Sequence, residues 1–210
     1  MAGVPIGAGV GAPRPGLSAA ARNPDPTREI CTVAHYEIVP DRSTLWIDAT
    51  SSVHAIHSRV CGLTGFLDLE VDGSGALDLS AAPGGRLELP VALLSSGNPI
   101  YDREMKRRAD ARKYPTITGV LSGLERIPGG GHTYTVRGDI TFRGVTNTYE
   151  DTMAIVAEED LLVLEGHHTF DIRDFAMEPP RIAMLKVHPD VAVRVEITAR
   201  RLGPTSPTGG

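Results

Sequence analysis

Tyr134-Thr-Val-Arg-Gly-Asp-Ile-Thr-Phe-Arg-Gly-Val-Thr146 decides the fold of this chain. Tyr134, Val136, Gly138, Ile140 and Phe142 share one face at a period of two, while Thr133, Thr135, Arg137, Asp139, Thr141 and Arg143 share the other. Successive side chains of a strand point to opposite faces, so this alternation predicts a half-buried antiparallel strand. The chain then turns at Arg143-Gly144 and runs on from Val145 to Val156. Two such runs joined by a tight Gly turn build a sheet.

The same reading extends in both directions. His35–Val39 is a short strand closed by Pro40-Asp41, and Ser43–Ala49 carries Leu45, Ile47 and Ala49 on one face. Val53–Cys61 is a weaker strand and Leu63–Val71 a clearer one. Asp72-Gly-Ser-Gly75 reads as a hairpin loop. Leu77, Leu79 and Ala81 keep the pattern, Pro83-Gly-Gly85 turns the chain, and Leu87, Leu89, Val91 and Leu93 alternate again. Ile100–Lys113 is the one good helix candidate, with helix-favouring Glu104, Met105, Lys106, Ala109 and Ala111 between Pro99 and Pro115. Strands resume at Thr116–Glu125, Thr133–Phe142, Val145–Ala157, Leu161–Ile172 and Asp190–Arg201. About ten strands with turn residues every 8–12 positions predict an all-β barrel or sandwich.

A chain of 210 residues suits one substantial domain. Its net charge of −5 argues against a bulk-electrostatic nucleic-acid binder, and 5% aromatics leave little for base stacking. No apolar run is long enough for a transmembrane helix. Residues 1–28 mix Pro, Gly and Ala with few large apolar groups and read as a disordered tail; 29–202 form the domain and 203–210 a second flexible end. The first basic residue, Arg14, follows the only apolar stretch, which is unlike a secretory signal. The chain is therefore expected in the cytoplasm, with the periplasm or secretion as the alternative. Cys31 and Cys61 are expected as reduced thiols, with a disulfide between them as the alternative.

The chemistry-bearing motifs are sparse. No GxSxG occurs and no Gly-rich phosphate loop follows a strand. His54 and His57 lie three apart on a strand and so point to opposite faces, as do the adjacent His167 and His168. His168 shares its phase with Leu162, Leu164, Phe170 and Ile172 and is the inward candidate. Arg103, Lys106, Arg107, Arg108, Arg112 and Lys113 crowd the helix region of an otherwise acidic chain, either as a solvated face or as a basic patch for an anionic head group. An eight-stranded barrel is just wide enough inside for side chains or one small ligand.

Three stretches, in order, resemble the YceI-like family. They are Tyr101-Asp-Arg103 through Lys113-Tyr-Pro-Thr-Ile117, Gly138-Asp-Ile-Thr-Phe-Arg-Gly-Val-Thr146, and Arg173-Asp-Phe-Ala-Met177. The resemblance spans about residues 34–201. Departures are the aromatic-poor segment from Ile47 to Ser58 and Ala176 in place of a usual Gly. The resemblance implies a lipocalin-like barrel holding an isoprenoid chain in its lumen, often as a homodimer.

The expectation is thus an all-β, lipocalin-like antiparallel barrel with one main helix over about 100–113. Its role is non-catalytic binding, sequestration or transport of a long apolar ligand such as an isoprenoid lipid or quinone. Tyr134, Val136, Ile140, Phe142, Leu162, Leu164, His168, Phe170, Val193 and Val195 are the cavity candidates; Arg103, Lys106 and Arg107 are the head-group candidates. No catalytic residue, metal, cofactor or nucleic-acid partner is expected. The alternatives are a haem- or metal-binding redox protein or enzyme using the same cavity, and a packed structural barrel.

Overall fold

The computed structural model describes residues 33–203 apart from 73, 180, 183 and 184. The tail assigned to residues 1–28, most of the C-terminal end, and Cys31 lie outside the described residues.

The hairpin read from the sequence organises the sheet. Strand β8 (Thr133–Phe142) pairs antiparallel with β9 (Val145–Glu158) from Phe142↔Val145 to Thr133↔Ala154. Arg143 and Gly144 join them with φ of 52° and 75°, the two left-handed residues that a tight two-residue turn requires. A Cβ on Gly144 would also lie 2.6 Å from the Tyr114 ring, so Gly is required there twice over.

Around this hairpin lie β1 (Ala34–Ile38), β2 (Thr44–Ser51), β3 (Ala55–Cys61), β4 (Thr64–Val71), the short β5 (Leu77–Asp78) and β6 (Gly84–Pro90). Helix α1 (Pro99–Arg108), β7 (Thr116–Arg126), β10 (Leu161–Asp171), the short β11 (Arg181–Ile182) and β12 (Leu185–Arg201) complete the chain. The sheet runs β1-β4-β6-β7-β8-β9-β10-β12, and β12 pairs back to β1. Eight antiparallel strands therefore close into a lipocalin-like barrel. One edge of β12 meets β10 from Leu161↔Arg200 to Asp171↔Asp190. Its other edge is shared, β2 pairing with Val187–Glu196 and β1 with Ala199–Arg201. Strand β3 extends the sheet beyond β2. Past it lies the segment 91–98, where the Ser58 hydroxyl donates to the Ser95 carbonyl.

Several elements differ from the sequence reading: β12 begins at Leu185, five residues before Asp190, β5 covers only Leu77–Asp78, and two further differences have a clear physical reason. The alternation at Leu87, Leu89, Val91 and Leu93 continues past the strand's true end, because β6 stops at Pro90 and Val91–Leu93 form a 3-10 turn. Proline has no amide hydrogen to carry the ladder onward. The helix is shorter than 100–113: it stops at Arg108, and Asp110 adopts φ 50°. Ala109 is fully buried beneath the end of α1, so the turn that ends the helix also docks it. Among the described residues no helix is long and apolar enough to cross a membrane.

Candidate functional site: the barrel lumen

Strand alternation sends Leu162, Leu164, Gly166, His168 and Phe170 of β10 inward, opposite Ala199, Ile197, Val195, Val193 and Val191 of β12. The lumen divides along this ladder. At the end where β1 pairs with Ala199–Arg201, Tyr36, Leu67, Leu69, Tyr134, Ile155, Leu162, Leu164, Ile197 and Ala199 are all buried and form a solid floor. The floor is latched from outside. The Tyr134 hydroxyl accepts the Leu77 N–H at 3.2 Å, and Arg126, its guanidinium 5.4 Å from the Tyr134 ring centre, donates to the Leu77 carbonyl at 2.7 Å. Above the floor the inward residues are only half-buried. Ile47, Leu121, Val136, Ile140, Phe142, Phe170, Val191, Val193 and Val195 keep the inward phase, yet their surfaces remain partly accessible. Ile47, Leu121, Val136, Phe142 and Val195 pack against the floor from above, and Phe170 packs against Tyr149 and Phe175.

Of the cavity candidates, Tyr134, Leu162 and Leu164 therefore lie in the floor, and the other seven in the open half. His168 meets Asp151 there, Nδ1 to carboxylate oxygen at 2.7 Å. Their side chains remain 29% and 40% exposed, which puts a polar pair on an otherwise apolar wall. Burial pushes the Asp151 carboxyl upward, but hydrogen bonds from His168 and from the Thr152 N–H, with the histidines' charge, outweigh it and leave the acid below its ordinary range. Tyr149 stands edge-on to both His168 and Phe170, each ring centre 5.0 Å away. Burial, then Asp174 and Asp171, push the pKa of its hydroxyl up, against a smaller lowering effect from Asn147 beside it. Above this cluster a 3-10 turn over Ile172–Phe175 caps the wall with buried Phe175, followed by buried Met177. Arg143 holds that cap by donating to the Phe175 and Ala176 carbonyls.

The head-group candidates lie on α1 and are unequal. Glu104 takes Arg107 in a two-pronged pair at 2.7 and 2.8 Å and also accepts from Arg108 at 2.7 Å. These bonds hold the Glu104 carboxyl down at about 2. Lys106 donates to the Ala92 carbonyl at 2.8 Å, whereas Arg103 is exposed and has no such partner among the described residues. The two histidines of the HxxH part company: His57 pairs with Asp48 at 2.6 Å on the outer face, and His54 stacks against Tyr101. No three acidic, histidine or cysteine groups converge as metal ligands among the described residues.

Asp151 is the lumen residue that strand periodicity alone did not single out. A signal for it existed. A two-residue turn at 143–144 fixes the hairpin register, which places Asp151 opposite Val136 and hence on the inner wall.

The YceI-like domain family model matches residues 36–199. The chain belongs to the YceI-like family. No functionally curated protein matches it. Among solved structures, this YceI-like barrel is similar to Burkholderia cenocepacia BcnA, with 16% identity, a TM-score of 0.62, and coverage of 77% of this chain and 98% of that one. A polyisoprenoid binding domain from Saccharophagus degradans, implicated in plant cell wall breakdown, shares 12% identity at a TM-score of 0.62, covering 81% of this chain and 100% of its own. A Campylobacter jejuni YceI protein shares 14% identity at a TM-score of 0.53 over 67% and 82% of the two chains. At these identities the likeness is one of fold.

Proposed function

We propose that this YceI-like barrel binds a long apolar molecule of the isoprenoid kind in the open half of its lumen, and sequesters or carries it without chemistry. One observation carries this reading. Inward apolar side chains of a closed barrel remain partly accessible above a solid floor, and such surface is stable in water only at a cost that a ligand removes. Burial returns about 0.8 kcal/mol per CH2, so a chain of about ten carbons gains roughly 8 kcal/mol before ordering costs are subtracted. The Saccharophagus relative, described as polyisoprenoid binding, supports the same reading.

Purified protein extracted with solvent and analysed by mass spectrometry is expected to yield a long-chain lipid, with no visible absorption band from a haem. Val136→Trp and Val193→Trp each place a large ring in the open half. Both should keep the β circular-dichroism spectrum and take up a prenol at least about tenfold more weakly, a loss of about 1.4 kcal/mol. Parent-like uptake by both variants would show that the ligand lies elsewhere.

A further inference from the structure

The polar pair on the lumen wall has a free end. His168 is held through Nδ1 by Asp151. Its other nitrogen, Nε2, has no hydrogen-bond partner among the described residues and is not among the buried partnerless atoms. Because His168 shares the inward phase of Leu164 and Phe170, the accessible part of its ring faces the lumen. The pairing of β9 with β10 ends at Gly166↔Met153, and the Asp151–His168 bond spans the next inward position, where the strands begin to separate. A group entering from the open half thus reaches one nitrogen on an otherwise aromatic and aliphatic wall.

We propose that Asp151 and His168 form a head-group site for an uncharged hydroxyl at the end of the apolar chain, and that the site disfavours anionic head groups. This deepens the lumen-binding proposal and rests on it. The chemistry follows from the proton positions. An ionised Asp151 accepts the Nδ1–H, so a neutral imidazole presents Nε2 as an acceptor. A protonated imidazole presents Nε2 as a donor. A hydroxyl can donate in the first state and accept in the second; a carbonyl can use only the second. With Asp151 ionised the pair carries a net charge of −1 or 0, so a carboxylate or diphosphate meets no net positive charge there. The nearby cations are engaged or turned away: Arg137 and Arg194 occupy the outward phase, opposite Glu150 and His167, and Arg143 at the β8–β9 turn donates to the Phe175 and Ala176 carbonyls of the cap. A carboxylate behind a metal-binding histidine fixes its tautomer in the same way; here the nitrogen so fixed serves a ligand hydroxyl.

The test uses the full chain and three probes with one saturated skeleton: phytanol, its hydrocarbon counterpart phytane, and phytanyl diphosphate. The parent is expected to bind the alcohol about tenfold more tightly than the hydrocarbon, and to bind the diphosphate more weakly than the alcohol. His168→Leu should abolish the preference for the alcohol while keeping the affinity for phytane. Asp151→Asn, which keeps the shape of the pair, should raise the affinity for the diphosphate relative to the alcohol. Equal binding of alcohol and hydrocarbon by the parent overturns the head-group site and leaves lumen binding standing, and this comparison needs no variant to fold. Tighter binding of the diphosphate, lost on Arg103→Ala, overturns it in favour of α1. Equal loss of alcohol and phytane in His168→Leu overturns it in favour of a strand-holding role for the pair. If the parent binds none of the three, lumen binding itself fails.

Discussion

Gly65 of β4 has φ 136°, and a Cβ there would lie 1.9 Å from the Arg86 carbonyl oxygen. No rotamer relieves that overlap, because both sides of it are backbone. Gly65→Ala is therefore expected to cost about 3 kcal/mol or more, the upper range for a residue forced into a disfavoured conformation, read as a lower urea midpoint. Glu104 is the opposite kind of residue, held by side chains alone. Its carboxyl lies at about 2 because Arg107 and Arg108 donate to it. A depressed carboxyl pKa contributes stability that is complete above the ordinary value of 4.5 and is lost as pH falls toward 2. Arg108→Ala should move the Glu104 titration, followed by NMR, back toward that ordinary value, and α1 should then loosen at a less acidic pH. The sequence showed that Arg103, Lys106 and Arg107 were cationic. It did not show that Glu104 and the Ala92 carbonyl engage two of them, since that depends on rotamers and on the path of the chain before the helix.

Helix α1 is short, and isolated helices of its length are marginal in water. It persists because both ends are tied. Asn98 caps it, its side-chain oxygen accepting from the Ile100 and Tyr101 N–H groups at 3.0 and 3.5 Å, and Asp102 accepts from Ser95 and Ser96 just before it. Ala109 docks the other end. Asn98→Ala should cost about 1 kcal/mol while Asn98→Ser retains most of the cap, both read by denaturant unfolding. Elements with a clean period, such as β8 and β10, were legible within a residue or so. Those bounded by tertiary events were not. Val91 and Leu93 kept the strand alternation after Pro90 had ended the ladder, and residues 109–113 kept helical composition after Asp110 had turned left-handed. Asp151 was hidden for a related reason, since its polar neighbours Glu150 and Thr152 mask a phase that only the hairpin register reveals.

In the whole molecule, closure of β12 onto β1 and the division of the lumen into a buried floor and a partly accessible upper half are long-range facts. The alternation of small aliphatic residues allowed a cavity without requiring one, because a packed barrel uses the same residues. The floor at Tyr36, Tyr134, Leu162 and Ile197 gives the barrel a property beyond affinity. It is a stop, and a stop turns a tube into a ruler. From Ile197 up to Val191, β12 climbs roughly 20 Å at about 3.3 Å per residue, or about 15 Å along the axis once strands are tilted as in other barrels. Affinity across a series of branched hydrocarbons, which carry no head group to pin, should rise with each added unit until the chain spans that depth, and then level off, because further units stay in water. Ile197→Ala lowers the stop. It should cost about 2–5 kcal/mol of stability and shift the plateau to a longer chain, so that one buried methyl-bearing side chain, far from any head group, sets which length the barrel prefers.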